Sequence, residues 1–109
     1  MKKILFILVF TFILCGCSSK SDLDKIIEDN NYIVVDVRSE NEYKMSHVVD
    51  SINIPYNEID LGVNLDKDKT ILVYCMSGNR SSIAYDTLTK LGYDVYDMGA
   101  FSEIELPKE

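Results

Sequence analysis

Thr70-Ile71-Leu72-Val73-Tyr74-Cys75-Met76-Ser77-Gly78-Asn79-Arg80-Ser81-Ser82 is the stretch from which the rest of the chain can be read. Its first five residues are β-branched, aliphatic or aromatic, the pattern of a strand buried on both faces. A helix is expected from Arg80 to Leu91, with Ile83, Ala84, Thr87, Leu88 and Leu91 on its apolar face and Gly92 just past its end. Ligands of open parallel sheets bind outside the carboxyl ends of strands, and Cys75 stands at such an end. Gly78 lets the loop curl where a Cβ would object. The loop N–H groups can then turn inward, and the positive end of the helix dipole adds to them. Such a cradle suits an anion: the Cys75 thiolate, or a sulfur carried on it. A thiol in that setting ionises below its usual value of about 8.5.

The flanking sequence supplies more of the same architecture. Ser21 caps a short helix with Asp22 and Asp24 in its first turn and Leu23, Ile26 and Ile27 along one stripe; Asn30-Asn31 ends it. Tyr32 to Val37 reads as a buried strand. Ser39-Glu40-Asn41-Glu42 has the form of a capping box, so a helix runs to about Ser46. Ile52 to Ile54 is a short strand closed by Pro55, Tyr56 to Gly62 a weak helix or turn, and Asp66 to Lys69 a charged turn. Asp94 to Asp97 is a last strand, Gly99 a turn, and Ala100 to Glu105 a final helical turn or two. Strands alternating with helices define the α/β class, with a small, mostly parallel sheet flanked by helices.

The first sixteen residues read differently. Lys2 and Lys3 precede an apolar run from Ile4 to Leu14, broken only by Thr11. A run of about 11 residues is too short to span a bilayer as a helix but suits a signal-peptide core. Leu14-Cys15-Gly16-Cys17 resembles a lipobox, with Cys17 as the lipidated residue. The expected organisation is a lipoprotein signal peptide over 1–16, a lipidated cysteine and short tether over 17–21, and one α/β domain over 22–109. Cleavage would remove Cys15 and acylate Cys17, leaving Cys75 as the one free thiol, without an intrachain disulfide partner. It would also remove Lys2 and Lys3, taking the net charge from −7 to −9. Such acidity argues against nucleic acid as a partner and against a polybasic lipid-binding patch. Lipid on Cys17 would hold the domain at the extracytoplasmic face of a cell membrane.

Cys75-x-x-Gly78-x-Arg80-Ser81 resembles the active-site loop of rhodanese-family sulfurtransferases. Val35-Asp36-Val37-Arg38, Glu42-Tyr43, His47-Val48 and Asn53-Ile54-Pro55 resemble that family's first half in order and spacing. Leu91-Gly92-Tyr93-Asp94-Val95 with Gly99 resembles its last segment. The chain departs from the family at turns: Ser46 stands where Gly is usual before the histidine, and Asp50-Ser51 where Gly-Ala is usual. Met76 occupies a loop position that is often basic, which removes an attraction for an anionic donor such as thiosulfate.

The resemblance implies a rhodanese-like fold and a two-step transfer. The Cys75 thiolate takes the outer sulfur of a small donor, and the resulting persulfide passes it to a thiol or cyanide. Cys75 and Arg80 are the expected catalytic pair, and Met76, Ser77, Gly78, Asn79, Arg80 and Ser81 the cradle. Arg80 would bind a donor anion or pin the loop through carbonyls. Asp36 is a supporting residue that would orient the loop or pair with Arg80. Arg38 and Glu42, four apart, are expected to pair; His47 is expected to be a hydrogen-bonded turn residue and Tyr43 a packing residue. The implied transfer needs neither a metal nor an organic cofactor, and no metal site is expected, since the single histidine lacks partners at ligand spacing. The protein is expected to be a monomer. Cysteine phosphatases and arsenate reductases are a rival class, but their loops place five residues between Cys and Arg where this one has four. A low-turnover persulfide carrier, a sulfur sensor or a partner-binding module at the membrane surface is the second alternative.

Overall fold

The computed structural model describes residues 21–109; the expected signal peptide and the Cys17 lipidation site lie outside the described residues. The chain divides into two compact units at Asn30/Asn31. In the first, helix α1 spans Asp22–Asp29. The Ser21 hydroxyl accepts from the Asp24 N–H, and Asn30 ends the helix in a left-handed conformation, φ 54°.

The second unit is an open α/β sheet. Its elements are β1 (Tyr32–Asp36), α2 (Glu40–Met45), β2 (Ile52–Asn53), a 3-10 turn (Tyr56–Leu61), β3 (Thr70–Cys75), α3 (Asn79–Lys90), β4 (Asp94–Ala100) and a closing 3-10 turn (Phe101–Glu103). The strand order is β2-β1-β3-β4, and every pairing is parallel. Val34, Val35, Ile71, Leu72 and Val73 are buried, as expected for strands covered on both faces. Helix α3 packs on β3, β4 and the Tyr56–Leu61 turn. From β1 the chain moves to one side, to β2; from β3 it moves to the other, to β4. The crevice at the carboxyl ends of β1 and β3 is therefore the topological switch point, where open α/β sheets bind their ligands. Asp36 and Cys75 are the last residues of those two strands.

Two sequence expectations change. Gly99 is not a turn: β4 runs through it to Ala100, and a bulge displaces the register so that Tyr74 pairs with Gly99. Gly99 has φ +81°, and its N–H donates to Asp97 Oδ1 at 2.9 Å. On α3 the buried stripe is Ser81, Ala84 and Leu88, while Ile83 and Leu91 are exposed. The apolar face is rotated because Ser81, beside the Cys75 sulfur, faces inward. The departures at turns are accommodated. Ser46 is extended, φ −172°, a conformation open to any residue. Asp50 takes φ +67°, which a short polar side chain tolerates better than most.

Candidate active site

The sheet brings Cys75 to the switch point, and the loop after it closes over the sulfur. Gly78 caps α3 with φ +105° and ψ −15°, a conformation that favours glycine. That twist turns the Gly78 N–H onto Cys75 Sγ at 3.0 Å, and the Ser81 N–H reaches the same sulfur at 3.3 Å. The loop is braced from within: the Ser81 hydroxyl and the Ser82 N–H both donate to the Gly78 carbonyl, at 3.1 and 3.2 Å. Cys75 has no exposed surface. Burial alone would push its thiol pKa up. The Ser81 hydroxyl and N–H and the Gly78 and Ser77 N–H groups act against burial and prevail, so the thiol lies below its ordinary value. Of the expected cradle, Gly78 and Ser81 donate to sulfur in the geometry, and Ser77 contributes through its amide. Met76 and Asn79 present exposed side chains on the outer side of the loop.

The charged residues pair differently from expectation. Arg80 neither pins loop carbonyls nor stands free for an anion. Its Nη1 and Nη2 donate to Glu42 Oε1 and Oε2 at 2.8 and 3.0 Å, a bidentate bridge between α3 and α2. Glu42 is thus taken by Arg80 rather than by Arg38. Its side chain still completes the capping box, accepting from the Ser39 N–H at 3.1 Å. The Arg80 bond above all, with the two from Ser39, overcomes desolvation and holds the Glu42 carboxyl at about 2.

Asp36 does not pair with Arg80. It lies fully buried against Arg38, whose Nη2 reaches Asp36 Oδ2 at 2.6 Å and whose Nε reaches both oxygens at 3.0 Å. The Arg38 guanidinium also donates to the Ser46 carbonyl and lies 4.4 Å from the Phe101 ring centre. Its role is to fix the turn after β1.

Asn53, noted in the sequence only as part of a motif, has a structural role of its own. Its side-chain amide donates to the Asp36 and Arg38 carbonyls at 2.9 and 3.0 Å, tying β2 to that turn. Its place in the Asn-Ile-Pro segment, after a strand and before a turn, was the available signal. His47 is a hydrogen-bonded turn residue: Nδ1 lies 2.8 Å from the Tyr43 carbonyl and Nε2 3.2 Å from Glu109. Tyr43 stacks on it at 3.9 Å and donates its hydroxyl to the Ser51 carbonyl. Among the described residues no group of three His, Cys, Asp or Glu could hold a metal ion.

A cleft of about 320 Å³ lies between the turn after β1 and the Tyr56–Leu61 turn, with Arg80 in its wall. The arrangement defines an α/β domain whose switch point holds a cysteine sulfur between the N–H groups of a short loop.

The model of the rhodanese-like domain family matches residues 19–105. A thiosulfate sulfurtransferase of Escherichia coli is 36% identical over 78 residues, covering 68% of this chain and 75% of that protein. The thiosulfate:glutathione sulfurtransferase of Saccharomyces cerevisiae is 32% identical over 91 residues, covering 69% of this chain and 66% of that protein. A solved rhodanese with anions from E. coli superposes with a TM-score of 0.63 at 35% identity, covering 72% of this chain and 96% of that one. The chain belongs to the rhodanese-like domain family.

Proposed function

We propose that this protein is a sulfurtransferase that works through a persulfide on Cys75. The observation that carries the reading is the pair of main-chain N–H groups, from Gly78 and Ser81, directed at Cys75 Sγ. In the first step the thiolate attacks the outer sulfur of a donor. With thiosulfate, the donor S–S bond breaks, sulfite leaves with the electron pair, and Cys75–S–S⁻ forms. In the second step a thiolate or cyanide takes the terminal sulfur and the Cys75 thiolate returns. The amides stabilise negative sulfur at both ends of the cycle. Arg80, held by Glu42, keeps the first turn of α3 in place. Support comes from relatives named thiosulfate sulfurtransferase and thiosulfate:glutathione sulfurtransferase. Lipid on Cys17 would place the chemistry at the extracytoplasmic membrane face.

Intact mass spectrometry of the purified protein with a sulfane-sulfur donor tests the reading. One added sulfur atom on the wild type and none on Cys75→Ser is the expected result; loading that survives the substitution refutes it. The complete burial of Cys75 favours one variant of this reading, a low-turnover carrier. Loading without turnover to cyanide would identify it.

A further inference from the structure

Residues 107–109 lie beyond the 19–105 segment that matches the family, and they are fastened to the chain between α2 and β2. Val48 and Lys108 pair as an antiparallel bridge. Three main-chain hydrogen bonds close it. The His47 N–H donates to the Glu109 main-chain oxygen at 2.9 Å, the Glu109 N–H to the His47 carbonyl at 2.8 Å, and the Val49 N–H to the Pro107 carbonyl at 2.8 Å. Lys108 turns its ammonium onto the Phe101 ring, 4.6 Å from the centre, the same ring on which the Arg38 guanidinium lies. The strap is thereby joined to the stack that fixes the turn after β1. It also meets the end of α2, the helix that brings Glu42 to Arg80.

The side chains at the end of the strap make a demand on protons. His47 Nδ1 lies 2.8 Å from the Tyr43 carbonyl, in the last turn of α2. A carbonyl only accepts, so Nδ1 carries a hydrogen. Nε2 lies 3.2 Å from Glu109 Oε2, and an ionised carboxylate also only accepts. Both contacts are hydrogen bonds only when the ring holds two protons. A neutral ring keeps its proton on Nδ1 for Tyr43 and turns a lone pair toward the carboxylate. The other groups around the ring do not relieve this. The Tyr43 ring stacks on it at 3.9 Å, the Arg38 guanidinium is engaged by Asp36 and the Ser46 carbonyl, and Lys108 is turned to Phe101. Glu109 is the one carboxylate in ion-pair contact with His47 among the described residues. A charged ring also suits its place after α2, since a helix C-terminus favours a cation. We infer that His47 and Glu109 form a proton-operated latch. It is closed when His47 is an imidazolium, and it loosens residues 107–109 from residues 47–49 when the ring loses a proton.

The chain has a single histidine, so its ring can be followed directly in the purified protein. Histidine ordinarily changes charge between about pH 5 and 8, which sets the range of the test. Side-chain nitrogen NMR should show both ring N–H groups at the acid end and one, on Nδ1, at the alkaline end. A neutral ring protonated on Nε2 instead overturns the latch. Amide hydrogen exchange, corrected for the intrinsic effect of pH, reads the strap itself at the His47, Val49 and Glu109 N–H groups. The Glu109 side chain is 60% exposed, so the pair is a weak one. Protection in the wild type should fall roughly two- to fivefold from the acid to the alkaline end, with no matching change at Val73 in the middle of β3. In Glu109→Gln the amide can accept from an imidazolium or donate to a neutral ring, so protection should persist and its pH dependence vanish. In Glu109→Ala protection should be low at both ends. Wild-type protection that does not change with pH, an equal fall in Glu109→Gln, or full protection of Glu109→Ala at the acid end overturns the proposal.

Discussion

Replacing Glu42 by Gln should remove one charge from the bridge that joins α2 to α3 and leave the shape around it intact. Gln can still accept from the Ser39 N–H as the third residue of a capping box, so the start of α2 survives. What is lost is the charged half of the bidentate pair to Arg80. The Glu42 carboxyl moves from 4.5 to about 2 on folding. At about 1.4 kcal/mol per unit, that displacement corresponds to roughly 3 kcal/mol. Glu42 and Arg80 retain 27% and 30% of their side-chain exposure, so solvent screening reduces the expected value to about 1–2 kcal/mol. The sign follows from linkage. A carboxyl whose folded pKa is depressed stabilises the protein above its unfolded pKa, and that contribution disappears as pH falls from about 4.5 toward 2. Urea denaturation of wild type and Glu42→Gln at pH 7 and at pH 3 measures it. The variant should be less stable at pH 7, and the gap should have narrowed by more than half at pH 3. Equal gaps at the two pH values would show that the bridge is not an electrostatic contribution, and no gap at pH 7 would show that it contributes nothing.

The cradle makes a prediction about reactivity. Alkylation of Cys75 by iodoacetamide should follow a titration with its midpoint below the value of about 8.5 for a free cysteine, because N–H donors favour the thiolate. Gly78→Ala should raise that midpoint and destabilise the fold by about 1–2 kcal/mol. An added Cβ would meet nothing within 4 Å, so the cost is that of φ +105° alone, relieved by turning the N–H away from sulfur; an unchanged midpoint would refute the cradle's effect. Arg38→Met should cost about 3–5 kcal/mol in chemical denaturation, since it strands the fully buried Asp36 carboxylate. The double variant Asp36→Asn with Arg38→Met should recover a good part of that loss, and a double variant no more stable than the single one would show that packing against Phe101, not charge, is what Arg38 provides.

The strand, loop and helix around Cys75 were legible because each rule there concerns neighbours in sequence. An unbroken apolar run, a glycine three residues past the cysteine and a helix start together fix where the loop amides turn. The capping box at Ser39 was legible for the same reason, and so were the ends of α1. The ion pairs were not. Arg38 and Glu42 are four apart, but Ser39 caps α2, so Arg38 precedes the helix and the i,i+4 rule has no purchase on it. Two residues along an extended turn let Arg38 fold back on Asp36 instead. Glu42 then finds Arg80, 38 positions away, a proximity set by the order β2-β1-β3-β4 and not by any local pattern. The bulge at Gly99 escaped for a related reason: glycine marks a turn or a bulge alike, and only pairing with β3 decides between them.

The same amides that lower the Cys75 pKa also cover its sulfur, and this limits how the chemistry can proceed. A sulfur with no exposed surface cannot meet a donor until part of the loop gives way. The loop is unequally anchored. Its helical end is braced by the Ser81 hydroxyl and the Ser82 N–H on the Gly78 carbonyl, and by Arg80 on Glu42. At its strand end Met76 and Ser77 are exposed. Displacing Met76 and Ser77 would therefore spare the two donors that hold the sulfur, from Gly78 and Ser81.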